Sequence, residues 1–134
     1  MNDVTPVLTR FAGCVISDDS GKILLMHRTG KDEWELPGGS IEPDEPAEVA
    51  AARQLYEELG VDVEIEQSMG TTSIDRDDQS YEFEWFKATI LQGEPAPKES
   101  LECDAIRYFS RGELRTMSNL SPTLDHLLSE PEPR

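Results

Sequence analysis

Basic residues are scarce in this chain: 12 Lys and Arg stand against 28 Asp and Glu, a net charge of −16 over 134 residues. So acidic a surface repels nucleic-acid polymers and anionic membranes, which argues against a role in coating DNA or RNA. A small phosphorylated ligand stays possible, because bound cations invert the local field. Long apolar runs are also missing. None approaches the roughly 18 residues that cross a bilayer. The opening MNDVTPVLTR shows no basic-then-apolar leader, so a soluble, cytoplasmic protein is expected. Cysteine is limited to Cys14 and Cys103, far apart and outside any C-x-x-C pair. Both lie in apolar stretches and read as buried reduced thiols. His27 and His126 show no ligand spacing. The length suits one domain with one core, residues 1–129, followed by a frayed acidic and proline-bearing tail at 130–134.

What is present is a sequence of strand and helix signals. Thr9 to Ser17 and Lys22 to His27 are apolar runs joined by Asp18-Asp19-Ser20-Gly21, a hairpin signal. A polar loop, Arg28 to Glu33, leads to Trp34-Glu35-Leu36-Pro37 and the pair Gly38-Gly39. Pro43, Asp44, Glu45 and Pro46 suit a helix start, and Gly60 suits its end. Val61 to Met69 alternates like a strand, Thr71 to Gln79 reads as a loop or short hairpin strand, and Ser80 to Leu91 is the longest strand candidate. Ala105 to Phe109 is a further strand, Ser110 can cap a short helix, and Ser121-Pro122 can open a last helix to about Leu128. Strands with helices packed on their faces predict an α/β (α+β) domain, a mixed sheet in an α/β/α sandwich.

The most informative stretch runs from Gly38 to Val61, GGSIEPDEPAEVAAARQLYEELGV. On a helix, Gln54, Glu57 and Glu58 fall within an arc of roughly 100°. Ala51, Leu55, Leu59, Ala52 and Tyr56 fill the adjoining arc and predict the buried face. Paired carboxylates beside a glycine turn suit a hard cation such as Mg²⁺, which takes oxygen ligands and bridges to substrate phosphates.

This pattern resembles the signature of the Nudix hydrolases, Gly-x5-Glu-x7-Arg-Glu-U-x-Glu-Glu-x-Gly-U, with U aliphatic. Here it reads Gly39, Glu45, Arg53, Gln54, Leu55, Glu57, Glu58, Gly60 and Val61, and every fixed position matches except Gln54, where the family has glutamate. The resemblance implies an α/β/α sandwich with a mixed sheet. It also implies an Mg²⁺-dependent pyrophosphohydrolase, with Mn²⁺ as a substitute. The substrate would be a nucleoside diphosphate linked to a further group, such as a nucleoside triphosphate in the MutT-like subgroup, with no polymer or membrane as partner. The metal ligands carried over are Glu57, Glu58, the backbone of Gly38 and a late carboxylate, Glu102 or else Glu99. Gly39, Glu45 and Arg53 would shape the site.

Gln54 is the departure that matters. An amide orients water but cannot take its proton at neutral pH. Asp77, Asp78, Glu82, Glu84 and Glu99 are the carboxylates available to replace it. The alternative is a weak or inactive nucleotide sensor; an isoprenoid-diphosphate isomerase of the same fold would need a well-placed cysteine. Arg28, Lys31 and Arg10 are candidates for the polyphosphate, and Asn119 for a purine edge. Phe83 and Trp85 fall on one strand face and Phe86 on the other, either as core or as a stacking surface. Oligomeric state is left open.

Overall fold

The computed structural model describes residues 7–98 and 103–124. The chain forms β1 (Val7–Val15), β2 (Ile23–Arg28), β3 (Trp34–Glu35), β4 (Gly38–Ser40) and α1 (Ala47–Leu59). There follow β5 (Asp62–Arg76), β6 (Gln79–Gln92), β7 (Cys103–Phe109) and α2 (Arg111–Thr116). The strands build two sheets where one was expected: a four-stranded sheet ordered β4-β1-β6-β5 and a three-stranded sheet ordered β3-β2-β7. β1 runs parallel to β6, and every other pairing is antiparallel.

Strand alternation sets the layers. Ala12 and Cys14 of β1, Phe86 and Ala88 of β6, and Leu24 and Met26 of β2 form one core with Ala51, Leu55 and Leu59 of α1. The intervening Val15, Trp85, Ile23 and Leu25 face the other way and pack with Leu36, Leu114 of α2 and Leu124. The two sheets thus lie between α1 on one side and α2 with the 120–124 segment on the other. Both cysteines are free and buried, and burial pushes the Cys14 thiol up to about 12. Among the described residues no helix is long and apolar enough to cross a membrane.

Three local outcomes differ from the sequence pattern. α1 begins at Ala47 with Pro46 as its N-cap, so Glu45 belongs to the preceding loop and not to the first turn. Tyr56 is 52% exposed, its ring beneath the Lys98 ammonium at 4.9 Å, and takes no part in the buried face. Thr71 to Arg76 continues β5 into a long hairpin with β6. Its two-residue turn holds Asp77 at φ 52° and Asp78 at φ 63°. Two successive left-handed residues match the right-handed strand twist, and short aspartates tolerate that conformation. The proposed last helix from Ser121 to Leu128 is described only to Leu124, and His126 lies outside the described residues.

Candidate active site

A cleft of about 460 Å³ opens between the two sheets beside the glycine turn. Its glycine wall is Gly38 and Gly39 on β4, and Gln54 of α1 stands against it. A Cβ on Gly38 would lie 2.5 Å from the Ala12 carbonyl oxygen and 2.6 Å from Gly13 Cα, so β4 approaches β1 more closely than a side chain allows. A Cβ on Gly39 would meet the Gln54 amide at 2.4 Å. The Gln54 Nε2 donates to the Ser40 carbonyl at 3.1 Å, tying helix to turn.

Arg53 completes this brace. Its Nε donates to Glu45 Oε2 at 2.8 Å and its Nη2 to Glu45 Oε1 at 2.9 Å, a bidentate pair, with a further bond from Nη2 to Ser40 O at 3.1 Å. The Arg53 guanidinium holds the Glu45 carboxyl down to about 2. Glu45 Oε1 also accepts from the Glu42 amide at 3.0 Å, which fixes the loop ahead of α1.

Glu57 and Glu58 diverge in environment. Glu57 has a 54% exposed side chain and accepts from Arg53 Nη1 at 3.1 Å. Glu58 is 7% exposed, on the same helix stripe as Ala51 and Leu55. Its charge contributes to the raised pKa of Cys103 at the start of β7, where burial is the main cause. Neither carboxylate lines the cleft. Among the described residues no three or more His, Cys, Asp or Glu side chains gather as a metal cage. Two carboxylates on successive residues of α1 suit Mg²⁺, which binds through one or two carboxylates and keeps waters or substrate phosphates for the rest. They do not suit zinc, whose sites are built chiefly from cysteine sulfur and histidine nitrogen. Glu102 and Glu99 lie outside the described residues.

Other candidate residues separate along the chain. Arg28 and Lys31 line the cleft. Arg28 is paired with Glu35, and Lys31 Nζ lies 4.0 Å from Glu33. Arg10 does not line it: its parity on β1 matches Ala12, so it faces the α1 side and binds Glu82 Oε1 at 3.3 Å. Asn119 does not line it either, and its Nδ2 donates to Asp32 Oδ1 at 3.1 Å; Ser121 and Thr123 line the cleft instead. Of the alternative proton acceptors, Glu84 accepts from Ser68 on the far face, and Asp77 and Asp78 form the exposed hairpin tip.

Glu33 and Glu35 are the carboxylates that do line the cleft. Burial raises the Glu35 pKa above its ordinary value against the opposing pull of Arg28. The sequence offered one unused signal for Glu35, its position inside the Trp34–Gly39 lead-in.

The aromatic floor comes from β1 and β6. Phe11 stacks on Phe83 at 4.9 Å, and Phe83 on Trp85 at 5.8 Å. Gly13 makes this packing possible, because a Cβ there would lie 2.5 Å from Trp85 Cζ3. Phe86 sits on the opposite face in the α1 core.

The loop that carries Lys31, just past Arg28 at the end of β2, is latched by His27. Its Nδ1 lies 2.7 Å from Asp104 Oδ1 on β7 and its Nε2 lies 3.1 Å from Asp32 Oδ1. The Asp104 bond, followed by the Asp32 bond, raises the His27 pKa above its ordinary 6.5. A raised pKa means the latch stabilises fully below that ordinary value and is lost as pH climbs through the folded-state value. The melting-temperature gap between wild type and His27→Gln is therefore expected to shrink from about pH 5 to about pH 9. A gap that stays constant would mean the imidazolium adds nothing.

A mixed-sheet sandwich with this braced glycine turn and glutamate-bearing helix defines a class, and residues 7–129 match the NUDIX domain; the chain belongs to that family. A 59-residue stretch is 42% identical to a MutT-like protein of Streptomyces ambofaciens, covering 44% of this chain and 38% of that protein. A 60-residue stretch is 38% identical to an RNA pyrophosphohydrolase of Pseudomonas fluorescens strain SBW25, covering 45% of this chain and 38% of that protein. The chain thus spans 38% of the length of each of these two curated relatives. A MutT NUDIX hydrolase from Burkholderia pseudomallei superposes with a TM-score of 0.82 at 26% identity, covering 93% of this chain and 98% of that one.

Proposed function

We propose that this chain is a cytoplasmic, divalent-metal-dependent pyrophosphohydrolase. It would cleave a nucleoside diphosphate linked to a further group, with nucleoside triphosphates as the favoured class, to a nucleoside monophosphate and a phosphorylated product. The observation that carries this reading is one cleft lined by the glycine turn, Gln54, two cations and a stacked aromatic floor. Glu57, Glu58 and the Gly38 carbonyl would hold Mg²⁺ or Mn²⁺, which supplies charge neutralisation to the diphosphate. Arg28 and Lys31 already face Glu35 and Glu33, so the protein's own cations offset little of a polyphosphate's charge. That favours a metal in the role.

The base stacks on the aromatic floor, leaving the phosphates toward the glycine turn. Gln54 orients water through its amide, and the proton passes to a carboxylate of the cleft wall, Glu33 or Glu35. A relative's name invokes RNA, but a net charge of −16 opposes a polymer and favours the free nucleotide. The test is a panel of nucleoside triphosphates, ADP-ribose, nucleotide sugars, dinucleoside polyphosphates and 5′-triphosphorylated RNA, with Mg²⁺, Mn²⁺ or chelator. Metal-dependent product release from a nucleoside triphosphate is expected; release from none of the panel rejects the reading.

A second reading, a nucleotide sensor, is favoured by the bond from the Gln54 amide to Ser40, which gives that amide a structural task. Gln54→Glu separates the two. The carboxylate loses the Ser40 bond, at about 1 kcal/mol of stability, and restores a proton acceptor, so kcat/KM is expected to rise about tenfold or more. A rate that stays flat or falls would favour the sensor.

A further inference from the structure

Two buried polar atoms at the Phe83–Trp85 end of the aromatic floor have no hydrogen-bond partner. Trp85 is 7% exposed and lines the cleft, yet its Nε1–H meets no acceptor; Thr72 Oγ1 is buried and equally unmatched. Sheet register puts them together. Thr72 lies across from Phe83 and Gly70 across from Trp85, so Thr72 is the diagonal neighbour of Trp85 on β5. Directly opposed residues share a face, which sets Thr72 on the cleft side with Phe83. Gly70, facing the indole, adds no side chain there. Buried polar groups are paired in the great majority of cases, and an indole N–H can only donate. Two unmatched groups on one face of a cleft therefore point to something that enters it.

Resting on the reading of this cleft as a nucleotide site, we propose that Trp85 Nε1–H and the Thr72 hydroxyl together receive one exocyclic carbonyl oxygen of the nucleobase. A carbonyl oxygen carries two lone pairs and satisfies both donors. An adenine ring nitrogen carries one and satisfies only one, while the adenine amino group brings further N–H donors toward two donors. The subsite selects guanine, uracil, thymine or cytosine over adenine. Sites built around buried hydrogen-bonding groups reject a ligand that leaves them unpaired, so a kcat/KM preference for GTP or UTP over ATP of roughly tenfold to a thousandfold is expected.

The chain has two tryptophans, Trp34 and Trp85, and so gives two indole N–H signals in a ¹⁵N-labelled sample, assigned with Trp34→Phe. The α,β-methylene analogues of GTP, UTP and ATP are titrated in the presence of Mg²⁺, where the bond to be cleaved is blocked and nothing turns over. The Trp85 signal is expected to move downfield, as a hydrogen-bonded N–H does, with GTP and UTP, and not to move downfield with ATP. Thr72→Val keeps the side-chain shape and removes the hydroxyl; it is expected to bring the GTP-to-ATP ratios of affinity and of kcat/KM toward one. An equal Trp85 shift with ATP, or ratios untouched by Thr72→Val, overturns the proposal. Binding with the expected shift but no hydrolysis defeats the pyrophosphohydrolase reading alone, and hydrolysis without base preference defeats the subsite alone.

Discussion

Glu58→Gln is expected to lower kcat/KM on a nucleoside triphosphate by about 10²–10⁴ while the melting temperature changes little. Glutamine keeps the shape of a side chain that is 7% exposed and packed along the Ala51–Leu55 stripe of α1, so the core has no cavity to absorb. What it removes is the charge that a hard cation requires of its ligand. A metal stabilises transition-state charge by several kcal/mol, and each 1.36 kcal/mol corresponds to about tenfold in rate. The measurement is steady-state kinetics across Mg²⁺ and Mn²⁺ concentrations beside a thermal melt. Wild-type rates in a folded variant would remove Glu58 from the metal site and the proposed chemistry with it.

The second large effect separates two neighbouring glycines. Gly38→Ala sets a methyl 2.5 Å from the Ala12 carbonyl and 2.6 Å from Gly13 Cα, both backbone atoms of β1 that cannot swing aside. The β1–β4 pairing must open, at about 3 kcal/mol, or roughly 10 °C of melting temperature. Gly39→Ala first meets the Gln54 amide, the end of a flexible side chain, at 2.4 Å. Its expected cost in stability is under about 1 kcal/mol, because the amide rotates away. Its effect falls on activity, since Gln54 then leaves Ser40. Equal melting temperatures for the two variants would mean that the closeness of β1 and β4 is not what the first glycine serves.

Much of the fold was legible because its signals are local. The Asp18–Gly21 turn, the Gly60 helix stop and the Ser110 cap each depend on residues a few positions apart, and each forms; Ser110 makes a full capping box with Glu113. The expected hairpin does not follow from that turn, because beyond a single Ser17–Ile23 bridge β1 and β2 part into different sheets. The β5–β6 hairpin was under-read because its strand residues 71–76 are polar. A strand exposed on an edge does not need apolar alternation, and only the Asp77-Asp78 turn marked it.

By itself the sequence determined the family, the glycine turn, the helix with its two glutamates and the Glu45–Arg53 spacing, since all of these sit within one contiguous segment. It could not determine which distant residues share the cleft. Arg10 and Phe11 are adjacent in the chain, yet strand parity sends one to the α1 face and the other to the cleft floor. Asn119 reads as a free base-recognition group until Asp32 is found beside it, 87 positions away. Glu35 enters the cleft and Glu84 leaves it because pairing across β1, β2 and β6 decides the facing of every side chain. Sheet register is a long-range property, and only the folded chain settles it.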